Sequence, residues 1–339
     1  MKNERVFAFA GREDRARGFS LVELMVSMAI GLIVLSAVFY SYIGGRSSYR
    51  LNEEIARLQE NGRVVMDMLE KDLRMASYSG CSGLGRLRAR GELSAIRNGM
   101  RVGVYADKIP GTVLGEEAYS LRVVAPVLET GIAADVSAGS PSVVLTDWSE
   151  DIGQGAAMGI YDCGAGELFR IDAVSGSDAT VTLDAAPTRD VSAEIGRVFV
   201  LRKNGADDAD VGTLYDIVDV EAPGPGGGTV GALRRNGEEL LTGVEAFRVC
   251  LGRGNAYGAS YGESQIDGYS RAEAVDTDTE RERVVSVQVD LLLASTSSVA
   301  LEVEETQSFS LCGGDDFTRT DRRLRKLFST TVSLRNKLK

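Results

Sequence analysis

Residues 18–43 read GFSLVELMVSMAIGLIVLSAVFYSYI, and this stretch decides the organisation of the chain. From Phe19 to Ile43 there are 25 residues and one charged side chain, Glu23. At about 1.5 Å per residue, a helix over that run is roughly 37 Å long, enough to cross a hydrocarbon layer of about 30 Å. The run is therefore expected to span a membrane. Residues 1–18 before it carry Lys2, Arg5, Arg12, Arg15 and Arg17 against Glu4, Glu13 and Asp14. A basic flank is retained on the cytoplasmic side, so everything after Ile43 is expected across the membrane.

An ordinary secretory signal places small residues after the apolar stretch, at its cleavage site. Here the small residue, Gly18, stands before it, followed by Phe19 and, four residues on, by Glu23. This order resembles the class III signal of type IV prepilins and type II secretion pseudopilins. The resemblance implies cleavage between Gly18 and Phe19 by a prepilin peptidase, N-methylation of Phe19, and retention of the apolar segment. A carboxylate inside a membrane helix costs about 2.5 to 3.5 kcal/mol on insertion scales and usually has a partner. Cleavage creates one, the ammonium at Phe19 one helical turn away. The resemblance further implies that Glu23 faces the terminal amine of a neighbouring subunit in a filament. An acid that merely complements the positive helix N-terminus is the simpler alternative.

No proline precedes Pro110, and apolar residues continue beyond Gly44 and Gly45 at steps of three and four: Ile55, Leu58, Val65, Met68, Leu69, Leu73 and Ala76. The spacing predicts one helix from about residue 20 to residue 77, its second half amphipathic. The stripe is short and irregular for a coiled coil, so docking on a sheet is expected. After Ser79 the period changes to short Val, Leu and Thr runs between Gly, Asp and Ser breaks. Strands are expected at 120–127, 142–145, 168–173, 179–183, 197–202, 213–220, 240–251, 284–294, 297–310 and 330–334. The segment 221–228 (EAPGPGGG) reads as a loop tip or subdomain boundary.

Composition narrows the chemistry. The 339 residues include no His, so a Ser-His-Asp or Cys-His nucleophilic site, a His-ligated zinc site and an imidazole-held haem are excluded. A catalytic role is not expected, nor a cofactor. A net charge of −11 argues against nucleic acid as a partner of the body. Cys81, Cys163, Cys250 and Cys312 are widely spaced with no C-x-x-C pair, which suits disulfides in an oxidising compartment. Cys81 follows the helix directly; a bond to Cys163 ties helix to body and leaves Cys250 for Cys312, although four cysteines allow three connectivities. Acidic groups at Asp207, Asp208 and Asp210 and at Asp276, Asp278 and Glu280 lack the glycine and distal acid of an EF-hand loop and read as solvated charge, so no metal is assigned. The glycines of 224–228 and 252–258 lack a P-loop lysine and read as turns. Arg322, Arg323, Arg325, Lys326, Arg335, Lys337 and Lys339 form one basic strip. It reads as an exposed edge strand kept soluble by charge, with subunit docking or DNA binding as the alternatives.

The run LRMASYSGC at 73–81, LTGVEAFRVCLG at 241–252, VVSVQVDLLLAS at 284–295 and FSTTVSLRN at 328–336 look like the larger minor pilins of the PilW type. That resemblance implies an α+β, pilin-like fold: a long N-terminal helix packed on a large antiparallel β-rich domain. The implied division is a leader at 1–18, a membrane or filament-core helix at 19–43, its amphipathic continuation at 44–79 and a periplasmic domain at 80–339. The implied function is initiation or capping of type IV pilus assembly, in partnership with prepilin peptidase, other minor pilins, the major pilin and the inner membrane, ending at or near the pilus tip. A type II secretion pseudopilin is the alternative, and a membrane-tethered adhesin or ligand-binding module that does not polymerise is a second.

Overall fold

The computed structural model describes residues 19–81, 83–113, 115–147, 153–175, 179–202, 211–221, 229–254, 266–295, 300–301 and 303–337. Gly18, the acidic group at 207–210 and the glycines of 224–228 lie outside the described residues, as do 255–258 of the other glycine segment and Lys339.

The first element, α1 (Leu21–Met75), is a single 55-residue helix, in line with the continuous apolar and amphipathic patterns. The chain divides into two compact units, residues 1–53 and 54–339. In the second unit, Leu58, Gly62, Val65, Met66, Leu69 and Leu73 form the buried stripe of α1. After it come β1 (Leu87–Arg88), α2 (Leu93–Val102) and the hairpin of β2 (Val104–Val113) and β3 (Glu116–Val123). Six strands follow: β4 (Leu128–Gly131), β5 (Ser142–Val144), β6 (Ala157–Tyr161), β7 (Gly166–Ser175), β8 (Thr180–Leu183) and β9 (Arg197–Leu201). The chain continues through β10 (Thr213–Glu221), β11 (Thr229–Arg235), β12 (Glu238–Gly254), β13 (Ile266–Arg271), the short α3 (Asp278–Glu282) and β14 (Val284–Ala294). It closes with β15 (Glu305–Leu311), β16 (Asp315–Asp321) and β17 (Arg325–Ser333).

The larger sheet has the order β17-β14-β12-β11-β10-β3-β2, with β13 added on β12. Its pairings are antiparallel throughout, with Val289 opposite Thr330 and Phe247 opposite Leu291. Alternation along β12 and β14 sorts the two faces. Phe247, Val249, Leu251, Val287, Val289, Leu291 and Leu293 join Val65, Met66, Leu69 and Leu73 of α1 in one core. The opposite face carries Ala246 and Leu292, covered by Leu311 and Phe317 of the β15-β16 hairpin. Burial of side chains such as Leu69 and Leu73, both fully enclosed, contributes about 1.5 to 3 kcal/mol each.

Between β3 and β10 the chain builds a second sheet, β4-β9-β6-β7-β8-β5, with β1 parallel to β7 at one side. One face encloses Met158, Ile160, Ile171, Val181, Val198 and Val200. The other is closed by Ile96 and Met100 of α2, packed with Tyr161, Leu168, Phe199 and Leu201. Two disulfides join distant segments: Cys81 to Cys163, with Cα atoms 5.0 Å apart, and Cys250 to Cys312, at 6.1 Å.

Candidate assembly site

In the N-terminal unit, Phe19 and Ser20 precede α1 and Glu23 lies in its first turn, where a negative charge complements the helix dipole. Leu21, Met25, Ile33, Phe39 and Ile43 are all more than half exposed. The helix is long and apolar enough to cross a membrane, and none of its most apolar window is buried. Two of its hydroxyls bond back to the helix: Ser27 Oγ donates to the Glu23 carbonyl and Ser36 Oγ to the Leu32 carbonyl, both at 2.7 Å. An apolar surface of this extent with no cover is an association surface.

In the second unit, polar contacts hold the end of α1. Asp72 accepts hydrogen bonds from Tyr215 Oη at 2.6 Å and from Arg235 Nη2 at 3.0 Å. Burial, followed by the Asp72 carboxylate, raises the Tyr215 phenol above its ordinary pKa. Glu70 accepts from Thr330 Oγ1 at 2.6 Å, reaching β17. Where the helix stops, Asn336 Nδ2 donates to the carbonyls of Arg74 and Ala76, both at 3.1 Å. Ser77 turns the chain with φ 63°, and its N–H bonds the Val124 carbonyl at 3.0 Å. Tyr78 and Tyr161 then donate to one carboxylate oxygen of Glu129 beside the Cys81–Cys163 bridge. Burial, with Glu129 next, raises the Tyr161 phenol.

The basic strip is largely structural. Arg325 is buried and forms ion pairs with Glu245 and Asp321. Arg322 Nε donates to the Leu301 carbonyl at 2.9 Å, and Lys326 lies 5.9 Å from the Phe328 ring. Lys337 Nζ donates to the carbonyls of Val102 and Arg281 at 2.7 and 2.9 Å, and burial lowers its pKa to about 7. The expectation of an exposed, charge-coated edge therefore needs correction. β17 is an edge strand, but Arg325 points into a buried ion-pair network and Lys337 caps backbone carbonyls. Around α3, Thr277 caps the helix, Arg281 pairs with Asp278 and Arg253 pairs with Glu280. Among the described residues, no group of three or more acids or cysteines is placed to hold a metal ion.

An uncovered apolar helix with a carboxylate in its first turn, followed by a disulfide-tied antiparallel body, is the arrangement expected of a prepilin-class protein. Residues 14–39 match the family described as Prokaryotic N-terminal methylation motif. Residues 226–336 match Type IV Pilus-assembly protein W, and the two matches together support a type IV pilus-related pilin of the PilW type. The second match runs from β11 to the turn after β17, while β4–β9 lie outside both. Searches of the curated proteins and of the solved structures returned no match.

Proposed function

We propose that this pilin is a minor subunit that helps to initiate or cap a type IV pilus. Prepilin peptidase removes residues 1–18 by cutting between Gly18 and Phe19, and Phe19 is then N-methylated. Residues 19–43 anchor the protein in the inner membrane and later pack laterally in a filament, residues 44–79 continue the helix, and residues 80–339 lie in the periplasm. Glu23 pairs with a terminal amine, which offsets the cost of a carboxylate in an apolar setting.

The observation that supports this reading is the coincidence of the methylation motif over 14–39 with an apolar helix whose most apolar window is wholly unburied. Mass spectrometry of the protein from cells with and without prepilin peptidase tests it. The expected product begins at N-methylated Phe19 only when the peptidase is present. Retention of residues 1–18 in the presence of an active peptidase overturns the assignment.

A further inference from the structure

The apolar run of α1 ends at Ile43, and Tyr40, Tyr42 and Tyr49 bracket that end, 84%, 64% and 72% exposed. Arg46 and Arg50 share a helix face with Tyr42 and Tyr49, because steps of three and four residues link the four positions, and both arginines are exposed. At about 1.5 Å per residue, Arg46 lies roughly 4.5 Å and Arg50 roughly 10 Å beyond Ile43. Headgroup layers extend a hydrocarbon core of about 30 Å to a bilayer of about 40 to 45 Å. With residues 19–43 across that core, both arginines stand in or just outside the headgroup layer.

Neither arginine forms a side-chain hydrogen bond or an ion pair among the described residues, and no acid occurs from Leu24 to Asn52. Farther along the same helix, Arg63 pairs with Glu60 and Asp67, and Arg74 pairs with Glu70. The positions three and four residues from Arg46 are Tyr42, Ile43, Tyr49 and Arg50, so the one charge among them repels it. An anion from outside the chain would relieve that repulsion. Side chains on a helix lean toward its N-terminus, which here is the apolar end, so Arg46 and Arg50 lean back toward headgroup level.

We propose that Arg46 and Arg50, with Tyr42 and Tyr49, form a collar that binds the phosphate groups of anionic phospholipids in the leaflet at the Ile43 end of the span. Guanidinium groups match phosphate geometry, and tyrosine rings settle at the boundary between hydrocarbon and water. The inference rests on the reading of 19–43 as a membrane span and goes beyond it by naming the lipid that its far end selects. Once residues 1–18 are removed, Arg46 is the first basic side chain in the sequence, so the positive side chains nearest the span lie at its far end.

The test reconstitutes the full chain in phosphatidylcholine vesicles carrying a trace of spin-labelled phosphatidylglycerol or spin-labelled phosphatidylcholine. Electron spin resonance then reads the fraction of each lipid immobilised at the protein. Wild type is expected to prefer phosphatidylglycerol about three- to tenfold at low salt. Arg46→Gln with Arg50→Gln is expected to lower the preference several-fold, to the background that the basic leader gives both proteins. Arg46→Lys with Arg50→Lys, which keeps the charge, is expected to retain most of it, and Arg63→Gln, at a site already paired with acids, all of it. Molar salt is expected to abolish the preference. These exposed positions lie outside the packed core, so the unfolding midpoint of the body is expected to be unchanged. Equal preferences in wild type and the Gln pair, the outcome expected were an acidic neighbouring subunit the occupant, overturn the collar and leave the span standing. An equal loss in Arg63→Gln overturns it as well, by showing that net charge alone matters. Failure of the protein to float with vesicles after alkaline extraction overturns the span and the collar with it.

Discussion

Gly62 of α1 and Phe328 of β17 approach so closely that the phenyl ring fills the space a Cβ on residue 62 requires. Glycine within a helix costs about 1 kcal/mol relative to alanine, so propensity alone favours Gly62→Ala. We predict the opposite sign, a loss of about 1 to 3 kcal/mol from overpacking. Phe328→Leu should relieve it, and a double-mutant cycle by denaturant unfolding should give clearly non-additive terms. Additive effects would show that the ring moves aside freely.

Arg325 is enclosed with Glu245, so removing one charge strands the other. Arg325→Met should cost about 3 to 5 kcal/mol, whereas Arg325→Met with Glu245→Leu should recover most of that loss. Comparing unfolding midpoints of the single and double variants checks this. A double variant no more stable than the single would argue against the stranded-charge explanation.

Asp162 accepts from Arg189 Nη1 at 2.8 Å and from the N–H groups of Gly164 and Ala165. The bond from Arg189 is the main reason that its pKa falls to about 2 from 3.8. Because the unfolded chain takes up protons first, this contribution is complete above about pH 4 and is lost as pH falls through about 2. The shift corresponds to roughly 2 kcal/mol at full value and to about 1 kcal/mol once solvent screening is allowed for. The stability difference between wild type and Asp162→Asn should shrink over that window, and a pH-independent difference would contradict the assignment.

The Cys250–Cys312 bridge fastens the β15-β16 hairpin to the sheet face containing Ala246 and Leu292. Replacing both cysteines with serine should cost about 2 to 4 kcal/mol and expose the hairpin to limited proteolysis before the rest of the body. Cleavage that begins elsewhere would mean that packing alone retains the hairpin.

The helix is legible in the sequence because its pattern is both long and periodic: apolar residues to Ile43, then the stripe ending at Leu73 and Ala76. β12 and β14 are visible as long apolar runs buried on both faces. β6 escapes a pattern reading, since AMGIY is short and carries Gly159, which accommodates the Phe199 ring. α2 escapes it too, because LSAIRNGMRV is only ten residues long and contains Gly99. The run expected at 297–310 is too long, its described part forming strand from Glu305 onward, in β15. Gly18, Phe19 and Glu23 stand out as a local motif. The contacts of Asp72 with Tyr215 and Arg235 do not, because residues this far apart in the chain meet only through tertiary folding.

Val123 of β3 pairs with Thr213 of β10, so the intervening chain departs and returns at adjacent points of the large sheet. Such an arrangement makes the smaller sheet a cassette, because the framework requires only that the two ends remain neighbours. Its outer loops can diversify, lengthen or be exchanged between related subunits while the supporting sheet retains its geometry, with Cys81–Cys163 acting as the rivet any replacement must provide for.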